Sequence, residues 1–288
     1  MDGLSFGEPA SGPFGECDTL NPSCGFEYYH KIAGTSRCKH RCRFGSAYGC
    51  LQKRSRLHSR RRVRRLLQGI GALAARNSAP ERYRQWTGGH LGCGSGIWAR
   101  ELSRAGYDVL GIDISPAMID IARKRVPRGE FRTESLLRAK LPMCDAVTSL
   151  GECLNYMFDK SNSIGRLRGV FERVYSALKP GGVFVFDIAE PGRGKGSPQR
   201  HRQGEDWAVL SDTVEDPETN RLTRRITTFR KRGDNYIRGE EVHVLQLYGR
   251  SEVADELRRV GFRVRALSSY GEQAMLIGCV AFMARKPR

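Results

Sequence analysis

The segment from His90 to Trp98 reads His-Leu-Gly-Cys-Gly-Ser-Gly-Ile-Trp, and a Leu-Gly-Ile-Asp segment ending at Asp113 follows it. Each glycine loses much conformational entropy on folding, so a glycine cluster indicates a tight turn that lets a ligand approach the backbone. An acid after the next strand lies beside the same crevice and can bind a ribose. A dinucleotide site requires Gly or Ala at position 97. This chain has Ile97, which favours a cofactor without a pyrophosphate.

Strand-like and helix-like segments alternate after this turn. Apolar runs at Tyr107–Asp113, Ala146–Leu150 and Val183–Ile188 are typical of buried parallel strands. A helix is predicted to begin at Pro116 with Ser115 as its cap. The alternation predicts an α/β fold with a doubly wound, mostly parallel sheet of seven strands.

Between residues 192 and 250 the hydrophobic period changes to two. Trp207–Val214, Leu222–Arg230 and Tyr236–Leu247 alternate apolar and polar residues and are separated by turn-rich segments. They predict an inserted antiparallel lid of three strands after the fifth parallel strand. A further helix is expected to follow, with Ser251 as its cap.

Three segments occur in order along the chain: LGCGSG, then GID followed by SPAMIDIAR, then LKPGGVFVFDIAEPG. With these segments the chain resembles the class I S-adenosylmethionine-dependent methyltransferases, from about residue 90 to the C-terminus. The inserted strands are similar to those of the small-molecule branch, such as glycine and amino-sugar N-methyltransferases. The resemblance implies a methyltransferase enzyme with S-adenosylmethionine as cofactor and a small-molecule acceptor whose nucleophile is N or O.

The resemblance also implies a set of cofactor-binding residues. The glycine turn would line the methionine part of the cofactor, Asp113 would bind the ribose, one segment would flank the adenine and another would lie nearest the sulfonium. In that order, the residues are Gly92, Cys93, Gly94 and Gly96, then Asp113, then Ser135 and Leu136, then Leu150 and Gly151. His90 departs from the family, which has an acid at this position, and this leaves open how the ammonium end of the cofactor is held.

Four polar residues are predicted to face the acceptor. Glu152, Asn155 and Tyr156 follow the fourth strand, and His243 lies on the inserted strands. A His or Glu side chain can accept a proton from an ammonium or hydroxyl nucleophile, which makes these residues catalytic candidates. Polar lining or loop capping is the alternative role for each of them. Asp187, at the end of the fifth strand, is expected either to face the ligand crevice or to cap a loop.

The N-terminal part of the chain differs in composition. Residues 1–58 show no sustained period and are rich in Gly, Cys and Arg, which predicts a poorly ordered basic extension ahead of a methyltransferase domain at residues 59–288. The cysteine spacings contain no Cys-x-x-Cys pair, so no metal site is predicted. Gly88 and Gly89 lie where the first strand should be apolar, so that strand is expected to be the least regular of the parallel sheet.

Charge leaves a second function open. The net charge is +18, and residues 1–86 hold 16 Lys and Arg against 6 Asp and Glu. Because basic segments bind phosphate backbones, one alternative is a nucleic-acid methyltransferase that uses residues 37–65 as a basic arm. The other alternative is a non-catalytic S-adenosylmethionine-binding protein.

The remaining sequence features concern location. The chain has neither an apolar run of membrane-spanning length nor a secretory signal pattern at its start. Nine cysteines, an odd number, argue against a disulfide framework. These features predict a cytoplasmic protein without membrane partners.

Overall fold

Parallel strands and helices alternate along the computed structural model, which describes residues 87–104, 106–196, 199–270 and 273–288. Five strands run parallel: β1 Thr87–Leu91, β2 Asp108–Asp113, β3 Glu130–Thr133, β4 Cys144–Ser149 and β5 Leu178–Ala189. The helices between and after them are α1 Ile97–Arg104, α2 Pro116–Arg125, α3 Ile164–Ala177 and α4 Arg250–Val260. The predicted extension at residues 1–58, with its cysteines, and the basic arm at residues 37–65 lie outside the described residues.

Two later strands complete the seven-stranded sheet. They are β10 Arg263–Leu267 and β13 Cys279–Arg285, and β13 pairs antiparallel with β5 and with β10. Between them, the short strands β11 Ser269–Tyr270 and β12 Gln273–Ala274 pair with each other. The strand order is β10-β13-β5-β4-β1-β2-β3. The order reverses between β1 and β4, and open α/β sheets bind ligands at the carboxyl ends of the strands beside such a reversal. The predicted doubly wound, mostly parallel sheet is thus confirmed.

The first strand is more regular than its glycines predicted. β1 pairs in register with β2 over five residues and with β4 over three. The register shift of the parallel strands lies instead between Cys144 and Ala146, where β4 meets β5. The expectation for β1 was wrong because the Leu141 side chain fills the space that a side chain at Gly89 would occupy. A Cβ on Gly89 would lie 3.1 Å from Leu141 Cδ2.

The inserted strands form a separate antiparallel sheet, here called the lid sheet. Its strands, in spatial order, are β6 Gln199–Gln203, β7 Trp207–Asp216, β8 Arg221–Arg232 and β9 Asn235–Gln246. The prediction of three strands was wrong by one. β6 reads Gln-Arg-His-Arg-Gln and is exposed at every position, so it carries no apolar alternation that the sequence could reveal.

The two predicted helix caps had different outcomes. Ser115 does cap α2, because its side chain accepts a hydrogen bond from the Met118 N–H at 3.4 Å. Ser251 does not cap α4, because the helix begins at Arg250 and its cap position is Gly249, two residues before Ser251. The carboxylate of Glu190 binds the Arg250 N–H at 3.1 Å and satisfies the first turn in place of a cap. A long-range carboxylate of this kind is invisible in the local sequence.

The core lies between the sheet and its helices. Phe171 of α3 packs against Phe184 and Phe186 of β5, and Phe282 of β13 stacks on Phe186 at 5.2 Å between ring centroids. All four rings are fully buried, so the centre of the sheet is rigid. Among the described residues, no helix has the length and apolar character needed to cross a membrane.

Candidate functional site

The turn from β1 to α1 takes a conformation that glycine alone adopts cheaply. Gly92, Gly94 and Gly96 have φ angles of 69°, 51° and 73°. A Cβ on Gly92 would also lie 2.6 Å from the Sγ atom of Cys153, so a side chain is excluded there on two grounds. The turn therefore presents bare backbone at the carboxyl edge of the sheet.

Asp113 at the end of β2 is joined to this turn. Its Oδ2 accepts a hydrogen bond from the Gly94 N–H at 2.7 Å, and its Oδ1 accepts one from the Ser115 N–H at 2.9 Å. Burial raises the pKa of the Asp113 carboxyl, although the two N–H donors oppose the shift. The arrangement places one partly buried carboxylate beside the glycine turn, where the ribose of the cofactor is predicted to bind.

Asp187 organises the loop after β4. Its carboxylate accepts hydrogen bonds from the N–H groups of Gly151 at 2.9 Å and Glu152 at 2.5 Å, and from the Tyr270 hydroxyl at 3.0 Å. Burial raises the pKa of Asp187 in spite of these donors. Of its two predicted roles, the geometry matches the loop cap. Gly151 has φ 99°, and a Cβ there would meet no atom within 4 Å, so the space over its backbone is open to a ligand.

Glu152 is anchored by two arginines. Arg193 lies 2.5 Å and Arg224 3.3 Å from its carboxylate, and Cys279 Sγ donates to it at 3.1 Å. Burial raises the pKa of Glu152, but the two guanidiniums outweigh burial and hold the pKa below its usual value. A carboxylate stabilised in this way is a poor proton acceptor. Glu152 also has φ 61°, and such strain is typical of functional loops.

Asn155 ties the two sheets together. Its Nδ2 donates to the carbonyls of Ala189 at 2.9 Å and Gln246 at 2.7 Å, and its Oδ1 accepts from the Ala189 N–H at 2.9 Å. The side chain is fully buried and its amide is occupied by the backbone. Asn155 therefore fixes the end of β9 to the end of β5.

Tyr156 and His243 meet where the lid sheet joins the loop. Tyr156 forms a β-bridge with Leu245, and its ring meets the His243 ring edge to face at 5.6 Å. His243 Nε2 lies 3.0 Å from Glu241 Oε2. The structure thus brings Asn155, Tyr156 and His243 into one region, while their catalytic roles stay predictions.

The residues predicted to flank the adenine follow β3. Ser135 is buried, and its hydroxyl donates to Asp159 at 2.6 Å, while Leu136 is half-buried. Leu150 is half-buried and packs against two apolar clusters on one face of the sheet. Cys93 is buried, and burial raises the pKa of its thiol well above the usual value, which suits the expected packing role.

His90 points away from the turn and into the sheet. Its ring is 3% exposed, and its Nδ1 lies 2.9 Å from Thr148 Oγ1 on the neighbouring strand β4. The same hydroxyl accepts a hydrogen bond from Trp98 Nε1 at 3.1 Å. Burial lowers the pKa of His90 to about 4, against a smaller opposing effect of the Thr148 carbonyl. The imidazole is therefore neutral and holds β1, β4 and α1 together below the glycine turn.

Arg193 and Arg224 were not singled out from the sequence, although both contact Glu152. One signal for Arg224 was available, because Leu222, Arg224 and Ile226 alternate on one face of β8 and the middle position is charged. Arg193 lies in a Gly-rich loop and carries no local signal.

Comparisons with known proteins agree with this geometry. Residues 90–182 match the family model described as a methyltransferase domain. A putative methyltransferase of Bacillus subtilis is 24% identical over 187 residues, covering 62% of this chain and 74% of that protein. Magnesium-protoporphyrin O-methyltransferase of Rhodobacter capsulatus is 37% identical over 104 residues, covering 34% of this chain and 42% of that protein. The chain thus spans about two fifths of the length of several curated relatives it matches.

Solved structures match over most of the chain. A sugar N-methyltransferase from a Streptoalloteichus species superposes with a TM-score of 0.66 at 18% identity, covering 88% of this chain and 98% of that one. An amino pentose methyltransferase from Micromonospora echinaspora, solved with S-adenosylmethionine bound, superposes with a TM-score of 0.62 at 17% identity, covering 86% and 99%. At these identities the likeness establishes the fold.

Residues 90–182 therefore match the methyltransferase domain model, and the sheet around them has the fold of the solved sugar methyltransferase structures. The domain match indicates a methyltransferase, and a solved structure with this fold binds S-adenosylmethionine. The residues present fit this cofactor, because bare glycine backbone, a partly buried carboxylate at Asp113 and open space over Gly151 lie along one edge.

Proposed function

We propose that this chain transfers a methyl group from S-adenosylmethionine to the N or O nucleophile of a small-molecule acceptor enclosed between the carboxyl edge and the lid sheet. One observation carries the proposal: Asn155 fixes the end of β9 to the end of β5, next to Gly151. Because the lid sheet is attached this close to the carboxyl edge of the parallel sheet, it favours an acceptor that loses its bound water before the reaction.

The glycine turn, Asp113 and the Gly151 backbone would hold the cofactor. When bound, S-adenosylmethionine supplies a methyl group on a sulfonium, a good leaving group. The residues of the chain then have the tasks of orienting the acceptor and excluding water. Ser135 and Leu136 would border the adenine, on the far side of Asp113.

His243 is the favoured group for moving a proton from the acceptor. Its ring is 2% exposed and is oriented by Glu241 and by the edge-to-face contact with Tyr156. An imidazole held in a fixed orientation can accept a proton from an ammonium or hydroxyl nucleophile. Glu152 is better suited to hold the arginines than to accept a proton.

The names of the relatives support a small acceptor without selecting the atom. The two structures similar in fold are named as methyltransferases of sugars, at nitrogen in the Streptoalloteichus protein. The Rhodobacter relative is named as an O-methyltransferase. Both atoms therefore stay within the proposal.

Replacing Asp113 with alanine is expected to weaken binding of S-adenosylhomocysteine by about 1.5–3 kcal/mol, because a hydrogen bond to a charged group is lost. Isothermal titration of the wild type and the variant measures the change. Asp108, at the exposed start of the same strand, provides the control Asp108→Ala, for which affinity should not change. Equal affinity of Asp113→Ala and wild type, or tighter binding of NAD than of S-adenosylhomocysteine, would refute the assignment of the cofactor site.

Replacing His243 with alanine is expected to reduce turnover and change the KM for the acceptor, while the affinity for S-adenosylhomocysteine stays near that of the wild type. The reason is that His243 lies on the lid sheet and the cofactor residues lie on the parallel sheet. Acceptor-panel kinetics combined with the cofactor titration test this separation. An equal loss of turnover and cofactor affinity would mean that the substitution disturbs the fold and that the lid does not act separately.

A further inference from the structure

The face of the lid sheet that carries Arg224 is rich in arginine. Residues directly opposite one another on neighbouring strands share a face. One row of such residues consists of Arg200, Ser211, Ile226 and Glu241, and the next consists of Thr213, Arg224 and His243. Arg202 stands two residues from Arg200 on β6 and so points to the same side. This inner face is continuous with the Glu152 ion pair through Arg224.

A fourth arginine reaches the same place from the loop after β5. Arg193 is 8% exposed and contacts Glu152. Its loop is held to the lid sheet by Glu215, whose carboxylate accepts hydrogen bonds from the N–H groups of Gly192 and Gly194 at 2.6 Å each. The position of Arg193 is therefore fixed by the lid sheet.

The electrostatics at Arg200 show that positive charge is crowded here. Burial lowers the pKa of Arg200, and the guanidiniums of Arg193, Arg224 and Arg202 lower it further. The Glu152 carboxylate opposes this effect but does not cancel it. Like charges gathered at a partly covered site raise its affinity for an anion.

We propose that the methyl acceptor carries an anionic group, a carboxylate or a phosphate. This group docks on the guanidinium of Arg200, beside the ion pairs that Glu152 forms with Arg193 and Arg224. This inference rests on the proposed function and names the chemistry of its acceptor. Arg200 is exposed on the edge strand, so a ligand can reach it from solvent. Its planar fork matches the two oxygens of either anion.

The position of this anchor relative to the cofactor edge supports the inference. Glu152 follows Gly151 directly in sequence, so the ion pair adjoins the residue predicted to lie nearest the reacting methyl group. An acceptor held at its anion by Arg200 would extend along the inner face of the lid sheet toward His243. The lid sheet would thereby select acceptors by charge as well as cover them.

The test uses the full chain saturated with S-adenosylhomocysteine and three probes: acetate, inorganic phosphate and the uncharged analogue acetamide. Binding is followed by NMR titration for the wild type, Arg200→Gln and Arg225→Gln. Arg225 is the matched control, because it is an exposed arginine on the opposite face of the lid sheet. We expect one or both anions to bind and acetamide not to bind. Arg200→Gln should weaken anion binding about tenfold or more, as expected for the loss of a charge-assisted hydrogen-bonding pair, and Arg225→Gln should leave it unchanged.

The outcomes separate this inference from the proposed function. Failure of the wild type to bind either anion, or equal weakening by the two variants, overturns the inference while S-adenosylhomocysteine binding leaves the methyltransferase function standing. If the wild type binds an anion but does not bind S-adenosylhomocysteine, the result counts against the proposed function and not against the anion site. The anion that binds more tightly identifies the acceptor group. A single-stranded oligoribonucleotide that binds more tightly than both anions, and that Arg225→Gln weakens equally, would overturn the inference in favour of a nucleic-acid surface.

Discussion

Replacing Glu152 with alanine is expected to lower the free energy of unfolding by about 3–5 kcal/mol, the range for removing one partner of a buried ion pair. The side chains of Arg193 and Arg224 are only 8% and 17% exposed, so two guanidiniums would lose their shared carboxylate. The Sγ of Cys279 would lose its acceptor as well. Urea unfolding of the wild type and the variant measures the change.

Matched variants distinguish charge from side-chain volume. Glu152→Gln keeps the volume and removes the charge, so it should be destabilising too, though less so, because the amide oxygen still accepts one hydrogen bond. The exposed pair Arg238–Glu240 provides the control Glu240→Ala, which should leave stability nearly unchanged because surface ion pairs contribute little. If Glu152→Ala and Glu240→Ala unfold at the same urea concentration, the ion pair does not stabilise the fold.

Features that are local in sequence could be predicted well. The glycine turn, the Asp113 position and the cap at Ser115 each depend on residues within a few positions of one another, and the structure has all three. The lid sheet was predicted where β7, β8 and β9 bury alternate residues. The polar edge strand β6 was missed because hydrogen bonding to β7, and not burial, makes it a strand.

Features that depend on distant residues could not be predicted. Arg193 pairs with Glu152 across 41 positions, and Asp187 binds the backbone of Gly151 across 36. Nothing in the composition of either segment specifies these partners, because they meet only when β4 and β5 lie side by side. The amide of Asn155 is a similar case, because it joins the ends of two strands that lie 34 and 91 positions away in sequence.

His90 shows how a departure from a family pattern can be resolved by structure. Sequence alone left open whether a histidine at this position weakens the cofactor site. The structure directs the ring to Thr148, whose hydroxyl also binds Trp98, so the ring contributes to the packing of β1 against β4 and α1. Because this role requires a neutral imidazole in a buried site, it has a consequence for stability as a function of pH.

The stability of the protein is expected to fall as the pH drops from about 7 to 4, by about 3 kcal/mol through His90 alone. The sign follows from the lowered pKa: the unfolded histidine takes up a proton below its ordinary value of 6.5, whereas the folded one resists until about 4. The contribution is therefore fully present above pH 6.5, is lost progressively through that window, and levels off below it. Urea unfolding of the wild type and His90→Asn across this range isolates the effect, since asparagine can still bond Thr148 but does not titrate. Parallel pH profiles for the two proteins would contradict the buried, neutral imidazole.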